Sequence, residues 1–294
     1  MALGRSSLDG PGRPPALRVS GPERTYRVAL GLGRAALRVL DLRLTGHGVE
    51  HVPTSGPVLL AATHVSYPDF VFVQEAARPS GRYVRFMTRH DVWQVPGLSR
   101  PMTAMRHVPV DRQAPAGAYV LARGLLREGE AVCAFPEAGI SYSYTVRSLM
   151  RGVASLARET GAPVVPVAVW GPQRVYSVGL PDARGKGPRP SLRRGRRADV
   201  SFGAPLTVDA GDDLTEWTRH LGAVLTDQLE TLQRLEHHRP RPGEHAPWHP
   251  AHLGGHAPTR AQAAHLDDVP RSAITPTWGP CSPSDASRSS PAGW

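Results

Sequence analysis

The sequence predicts an α/β fold: a single domain whose mostly parallel sheet is flanked by helices. Three observations carry this expectation. Short, continuous apolar runs of strand length recur at 57–63, 131–135 and 164–169, as strands buried on both faces require. Between them lie stretches with helical spacing of apolar residues that stop at glycine. Both ends of the chain lose this periodicity and fill with Pro, Gly, Ser, His and Arg. Residues 1–22 and 237–294 are therefore expected to lack fixed structure, and 23–236 to form the domain.

Taken in order, 26–44 reads as a helix whose Arg27, Arg34, Arg38 and Asp41 fall on one narrow stripe, with the remaining surface apolar. Such a helix packs on the domain or lies in a bilayer interface, and both readings stay open. The run 57–63 is a buried strand. Helical material follows from Pro68 to Ala77 and is ended by Arg78, Pro79, Ser80 and Gly81. Strands are expected at 83–88 and 105–110, then a helix opened by Pro115 and closed at Gly129. The strand at 131–135, a helix over 149–160 stopped by Gly161, and the strand at 164–169 come next. Residues 182–197 carry Lys186, Arg189, Arg193, Arg194, Arg196 and Arg197 among glycines and prolines, as an exposed basic loop would. A strand resumes at 199–208. Asp213 and Glu216 then open a last helix with Leu214, Trp217, Leu221, Leu225, Leu232 and Leu235 on its apolar face.

The net charge of +10 and pI near 10.5 point to an anionic partner: nucleic acid, an anionic membrane surface or a phosphorylated substrate. Cys133 sits in an apolar run and Cys281 in the C-terminal tail, so no disulfide framework is expected and a reducing compartment fits. The N-terminus lacks the apolar core of a signal peptide, and no apolar run approaches the roughly 18 residues that span a bilayer. The histidines from His237 onward could in principle bind metal, but no expected element holds two of them in fixed geometry, so no metal site is expected.

Chemistry concentrates where strands end. Thr63-His64-Val65-Ser66-Tyr67-Pro68-Asp69 joins the first apolar run to a helix. A histidine accepts a proton reliably only when a second group fixes its tautomer and stabilises its charged form, and Asp69 can do so if the turn folds back. Alone, the same residues also suit a strand end followed by a helix start, where proline and then an acid are favoured by geometry and dipole. Three further segments fall at strand ends, where open α/β sheets place ligands. Arg112, in Val108-Pro109-Val110-Asp111-Arg112, can grip a phosphate with two hydrogen bonds or simply pair with Asp111. Phe135-Pro136-Glu137-Ala138-Gly139-Ile140-Ser141 is either a loop that approaches a ligand closely or an ordinary turn. Arg151-Gly152 puts a cation at a helix start, a place that favours anions.

In this order the blocks resemble the PlsC-like glycerolipid acyltransferases, the family that includes 1-acylglycerol-3-phosphate acyltransferase. That family carries Asn-His-x4-Asp, an arginine block, Phe-Pro-Glu-Gly followed by Thr-Arg-Ser, and a strand containing Val-Pro. Here the blocks are THVSYPD at 63–69, VPVDR at 108–112, FPEAGIS at 135–141 and VVPVAV at 164–169, within a resemblance spanning 25–235. It implies His64 as general base with Asp69 as its partner. Arg112 and Glu137 would bind a phosphate-bearing acceptor, Gly139 and Arg151 would help bind it, and Pro166 would shape the site wall. Two departures stand out. Thr63 replaces asparagine, and Ala138-Gly139-Ile140-Ser141 lacks the arginine of the third block, for which Arg147 or Arg151 would substitute.

The implied reaction moves an acyl group from acyl-CoA or acyl carrier protein to a lysophospholipid hydroxyl. It needs no metal, no cofactor and no covalent enzyme intermediate. The implied setting is peripheral, on an anionic membrane surface at the cytoplasmic face of the plasma membrane. Against a serine hydrolase using Ser66 or Ser141 stands the lack of a Gly-x-Ser-x-Gly elbow. Against a nucleic-acid partner stands the absence of helix-turn-helix or zinc spacing and of aromatics within the basic loop.

Overall fold

A computed structural model describes residues 23–180, 186–267 and 269–279. Seven strands, β1 (Arg43–His47), β2 (Val58–Ala62), β3 (Val84–Arg89), β4 (Val108–Val110), β5 (Ala131–Ala134), β6 (Val164–Trp170) and β7 (Arg197–Phe202), form one sheet in the order β1-β7-β6-β2-β5-β3-β4. Every pairing is parallel except β6 with β7. The helices are α1 (Glu23–Val39), α2 (Asp69–Ala77), α3 (Ser99–Ala104), α4 (Ala116–Arg127), α5 (Gly152–Thr160), α6 (Leu214–Gln233) and the short α7 (Arg260–Ala263). The mostly parallel α/β architecture is the one the apolar runs predict.

The sheet separates two cores because successive side chains of a strand point to opposite faces. Leu59 and Ala61 of β2 join Val132, Val164, Ala168 and the apolar faces of α4, α5 and α6. Val58, Leu60 and Ala62 face Val165, Val167 and, on α2, Phe72 and Val73. All of β2 is thus buried, which explains its unbroken apolarity. β2 also lies between β5 and β6, so the residues after Ala62 emerge at the middle of the sheet's carboxyl edge. The segments after β4 and β5 leave from the same edge.

Several elements differ from expectation. Residues 43–47 form β1 at the sheet edge, paired along its length with β7 and mostly exposed, where 43 and 44 were expected to end the first helix. An edge strand lacks the apolar run that betrays a buried one. α3 contains Pro101 and is too short to show helical spacing. β7 stops at Phe202, where Gly203-Ala204-Pro205 lead the chain away, and only Leu206 bridges back to Val164. α1 packs through buried Tyr26, whose hydroxyl lies 2.6 Å from Val84 O and 2.8 Å from Gln74 Oε1, while Val28, Leu32 and Val39 remain exposed.

The largest correction concerns the C-terminal segment. Structure continues through residue 279, whereas 237 onward was expected to have none. His238, Ala246, His249, Ala257, Ala263, Ile274 and Trp278 are buried, and Leu149 and Ile274 exchange backbone hydrogen bonds. These apolar residues are few and aperiodic because the segment docks on a surface already built by α6 and the 141–150 loop. It needs no amphipathic face of its own. The expected tails at 1–22 and 281–294, with Cys281, lie outside the described residues.

Gly222 records this docking. A Cβ placed there would meet the Trp278 ring at 2.5 Å. Glycine in mid-helix ordinarily costs about 1 kcal/mol relative to alanine, so propensity alone makes Gly222→Ala stabilising. The rigid indole cannot yield as a flexible chain end can, and overpacking of this kind costs about 1–3 kcal/mol. Gly222→Ala should therefore lower the urea midpoint and open residues 246–279 to limited proteolysis. A stabilised variant would show that the segment does not pack as described.

Candidate active site

His64 begins the turn that leaves β2, and the turn is held by residues from three other parts of the chain. Its backbone N–H donates to Glu137 Oε1 at 2.8 Å, and its carbonyl accepts from Ser141 N at 3.3 Å. The Val65 carbonyl accepts from Ser177 Oγ at 2.6 Å, and Tyr67 N–H donates to Tyr176 O at 3.1 Å. Thr63, where the family has asparagine, accepts from Val169 N–H at 3.0 Å and so fastens the end of β2 to β6. Buried backbone polar groups need partners of this kind, and together they leave the turn little freedom.

Asp69, the first residue of α2 and fully buried, collects the donors inside the turn. Its Oδ2 accepts from His64 Nδ1 (2.9 Å), Val65 N (2.8 Å) and Ser66 N (2.9 Å), and Oδ1 accepts from the Ser66 hydroxyl. With Nδ1–H directed to the carboxylate, the neutral imidazole carries its lone pair on Nε2. No described residue hydrogen-bonds Nε2. The His64 ring stacks on Phe135 at 4.3 Å between centroids, which fixes its plane, and the side chain keeps 21 % exposure. This is the geometry of a general base open to an incoming hydroxyl.

Glu137 is positioned differently from the acceptor contact expected of it. It is buried, and its two oxygens accept the backbone N–H groups of His64 and Arg147 (2.8 and 3.0 Å). It ties the histidine turn to the 135–147 loop. Burial pushes its carboxyl up to about 7, against the pull of the Arg147 and His64 amides and of the Arg147 charge. Ala138 next to it adopts φ 54°, the left-handed conformation served by glycine in the family's block.

At Gly139 two guanidinium groups converge. A Cβ there would lie 3.0 Å from Arg147 Nη1 and 3.6 Å from Arg112 Nη2, so the absent side chain lets both cations approach the main chain. Of the two arginines considered for the missing third-block residue, Arg147 is therefore the one brought to the site. It is largely buried, and its Nη1 donates to Ile140 O (3.4 Å) and Asp267 Oδ1 (3.3 Å). Arg151 is exposed at the start of α5. Its charge acts on Asp213 at the head of α6, whose carboxyl is held low first by the Glu216 and Thr215 amides. Pro166 is buried in mid-strand opposite Ala61, about 10 Å of strand below His64, and so lies beneath the site instead of on its wall.

Arg147 and Asp267 were the residues least visible from sequence. Nothing in the local pattern distinguishes Arg147 from Arg151, and Asp267 comes from the segment expected to be unstructured. Burial raises the Asp267 carboxyl despite Arg147. The serines are engaged elsewhere: Ser66 with Asp69, and Ser141 Oγ with Ser143 Oγ at 3.1 Å.

The fold and site define an α/β protein with a carboxylate-oriented histidine at the carboxyl edge of its sheet, beside a pair of converging arginines. The Acyltransferase family pattern matches residues 43–170, from β1 through β6. The 1-acyl-sn-glycerol-3-phosphate acyltransferase of Bacillus subtilis (strain 168) is 30% identical over 142 residues, covering 47% of this chain and 69% of that protein. The chain belongs to the PlsC-like glycerolipid acyltransferase family.

Two chloroplastic 1-acyl-sn-glycerol-3-phosphate acyltransferases also match. LPAT1 of Arabidopsis thaliana is 26% identical over 45% of this chain and 37% of its own length. BAT2 of Brassica napus is 25% identical over 45% and 38%. The chain thus spans less than half the length of these two relatives. The crystal structure of PlsC from Thermotoga maritima shares the fold, with a TM-score of 0.56 at 20% identity over 71% of this chain and 80% of that one.

Glu137 makes stability depend on pH. Its folded value of about 7 exceeds the roughly 4.3 of an unfolded glutamate, so the folded chain holds the extra proton between the two. The contribution is complete below about pH 4 and is lost as the pH rises through 7. Glu137→Gln removes this titration. The unfolding free energy of wild type minus variant should fall by roughly 3 kcal/mol between pH 4.5 and 8, measured by urea unfolding. A flat or rising difference contradicts the assignment.

Proposed function

We propose that the chain transfers a fatty acyl group from a thioester donor, acyl-CoA or acyl carrier protein, to a lysophospholipid hydroxyl. The acceptor is 1-acylglycerol-3-phosphate and the product phosphatidic acid. The observation that carries this reading is the 2.9 Å bond from His64 Nδ1 to Asp69, which leaves Nε2 as a base; the loop at Gly139, on which Arg112 and Arg147 converge, is joined to the same turn by Ser141 N and His64 O. Family membership supports the reaction class.

The acceptor hydroxyl gives its proton to His64 Nε2 while its oxygen forms a bond to the thioester carbonyl carbon. Asp69 stabilises the imidazolium that results. The tetrahedral intermediate collapses, the C–S bond breaks with its electron pair going to sulfur, and the thiolate recovers the proton from His64. Direct transfer is favoured over an acyl-serine enzyme because the Ser66 hydroxyl is bonded to Asp69 and the Ser141 hydroxyl is paired with that of Ser143. Arg112 and Arg147 would hold the acceptor phosphate, a role suited to guanidinium forks. Asp267 would compete with that phosphate for Arg147.

We place the protein on an anionic membrane surface, at the cytoplasmic face of the plasma membrane. Among the described residues no helix is long and apolar enough to cross a membrane. Val28 and Leu32 are exposed on α1 at 63% and 68%, with Arg24 and Arg27 also exposed on that helix. Such a face can insert its apolar side chains while the arginines meet headgroups.

His64→Ala should lower kcat on the order of 10³-fold with the fold intact, and Ser66→Ala should stay within about tenfold of wild type because no acyl-serine is formed. The check is transfer of labelled acyl-CoA to a panel of lysophospholipids and glycerol-3-phosphate. Loss of all activity in a folded Ser66→Ala variant would overturn direct transfer. The double change Val28→Asp, Leu32→Asp should weaken co-sedimentation with anionic vesicles and leave turnover of detergent-dispersed substrate unchanged. Unaltered vesicle binding would remove α1 from the membrane contact.

A further inference from the structure

The first two histidines after α6, His237 and His238, meet at one buried carboxylate on the side of the sheet that packs α6. Asp199 lies in β7 between Thr45 of β1 and Trp170 of β6. Its strand neighbours Ala198 and Val200 point into the core beside α2, so Asp199 points to the opposite face. Three imidazoles reach it: His237 Nε2 at 2.8 Å and His238 Nε2 at 2.9 Å on Oδ2, and His47 Nε2 at 2.8 Å on Oδ1. Asp199 and His238 are buried, and His237 and His47 are partly open to solvent. His237 and His238 belong to the tract for which no fixed geometry was expected. The turn at 236–238 and the edge of the sheet supply that geometry.

We propose that Asp199, His237 and His238 form a site for a divalent first-row transition cation of the zinc type, which pins the segment after α6 to the sheet. The two Nε2 atoms and the carboxylate oxygen all lie within 4.8 Å of one another. Two imidazoles and a carboxylate are a donor set that zinc takes at about 2.0–2.2 Å, which in a tetrahedral arrangement separates the donor atoms by about 3.3 Å. The present separations of 2.8 and 2.9 Å are only slightly shorter, so small side-chain rotations make room for the ion. Water would complete the tetrahedron.

The surroundings suit such a site. His47 on Oδ1 fixes the plane of the carboxylate while Oδ2 takes the metal, as outer hydrogen bonds do for metal-binding groups. The His238 ring lies edge-on to Trp170 at 6.5 Å, and its backbone N–H closes the turn on Leu235 O at 2.8 Å. Crowding three imidazoles on one carboxylate is otherwise an uncommon use of histidine in a domain core.

The test uses the full chain without an affinity tag, stripped with a chelator and titrated with Zn²⁺ by calorimetry and with Co²⁺ by visible absorption. Wild type should bind one Zn²⁺ per chain at micromolar affinity or tighter and give the intense d–d bands of four-coordinate Co²⁺. Zn²⁺ should also raise its thermal midpoint. His237→Ala, at a partly exposed position, and Asp199→Asn, which keeps the side-chain shape, should each weaken binding at least tenfold. His252→Ala, outside the cluster, should bind as wild type does. Fewer than one ion per chain, octahedral Co²⁺ spectra, or binding that His237→Ala leaves unchanged would overturn the site.

Discussion

Asp69 is buried where β2 gives way to α2, and the active-site turn closes around it. Its carboxylate accepts two backbone N–H groups, the Ser66 hydroxyl and the Nδ1–H of His64. A buried carboxylate is tolerated only when its oxygens are satisfied in this way. The same bonds shape the turn, start the helix and choose the histidine tautomer. Catalytic geometry and local folding are therefore one problem here, solved by one side chain.

Glu137 extends this arrangement across the sheet. It joins backbone of the β2 turn to backbone of the loop after β5, two parallel strands adjacent in the sheet but remote in sequence. The site is a seam between loops, and its rigidity comes from main-chain donors held by buried acids. The acids face inward, and the guanidinium groups of Arg112 and Arg147 converge on the main chain at Gly139.

The C-terminal segment changes how the domain is bounded. Asp267 reaches Arg147, Trp278 packs on Gly222, and His237 and His238 reach Asp199. Residues past 236 are thus part of the same packed unit, and Asp267 reaches Arg147 beside Gly139. Segments of this kind defeat periodicity analysis because their few apolar residues fill gaps in a surface that other elements create.

Local pattern was enough for the parts of this protein whose physics is local. The buried strands β2, β5 and β6 show as unbroken apolar runs, and α4, α5 and α6 as periodic segments closed by their own caps. The His64–Asp69 pair shows because one turn spans five positions. Residues joined only through space were not legible. Edge strand β1 has no apolar run, Glu137 is told from an acceptor ligand only by the amides it meets, and Arg147 and Arg151 look alike until one is seen near Gly139 and the other on the surface. The sequence determined the central strands and the His64–Asp69 pair, since each is encoded within a few residues. Tertiary structure decided which arginine comes to Gly139 and that His47, His237 and His238 converge on Asp199. Those outcomes depend on distances between segments up to 190 residues apart, from His47 to His237, which only the packed chain sets.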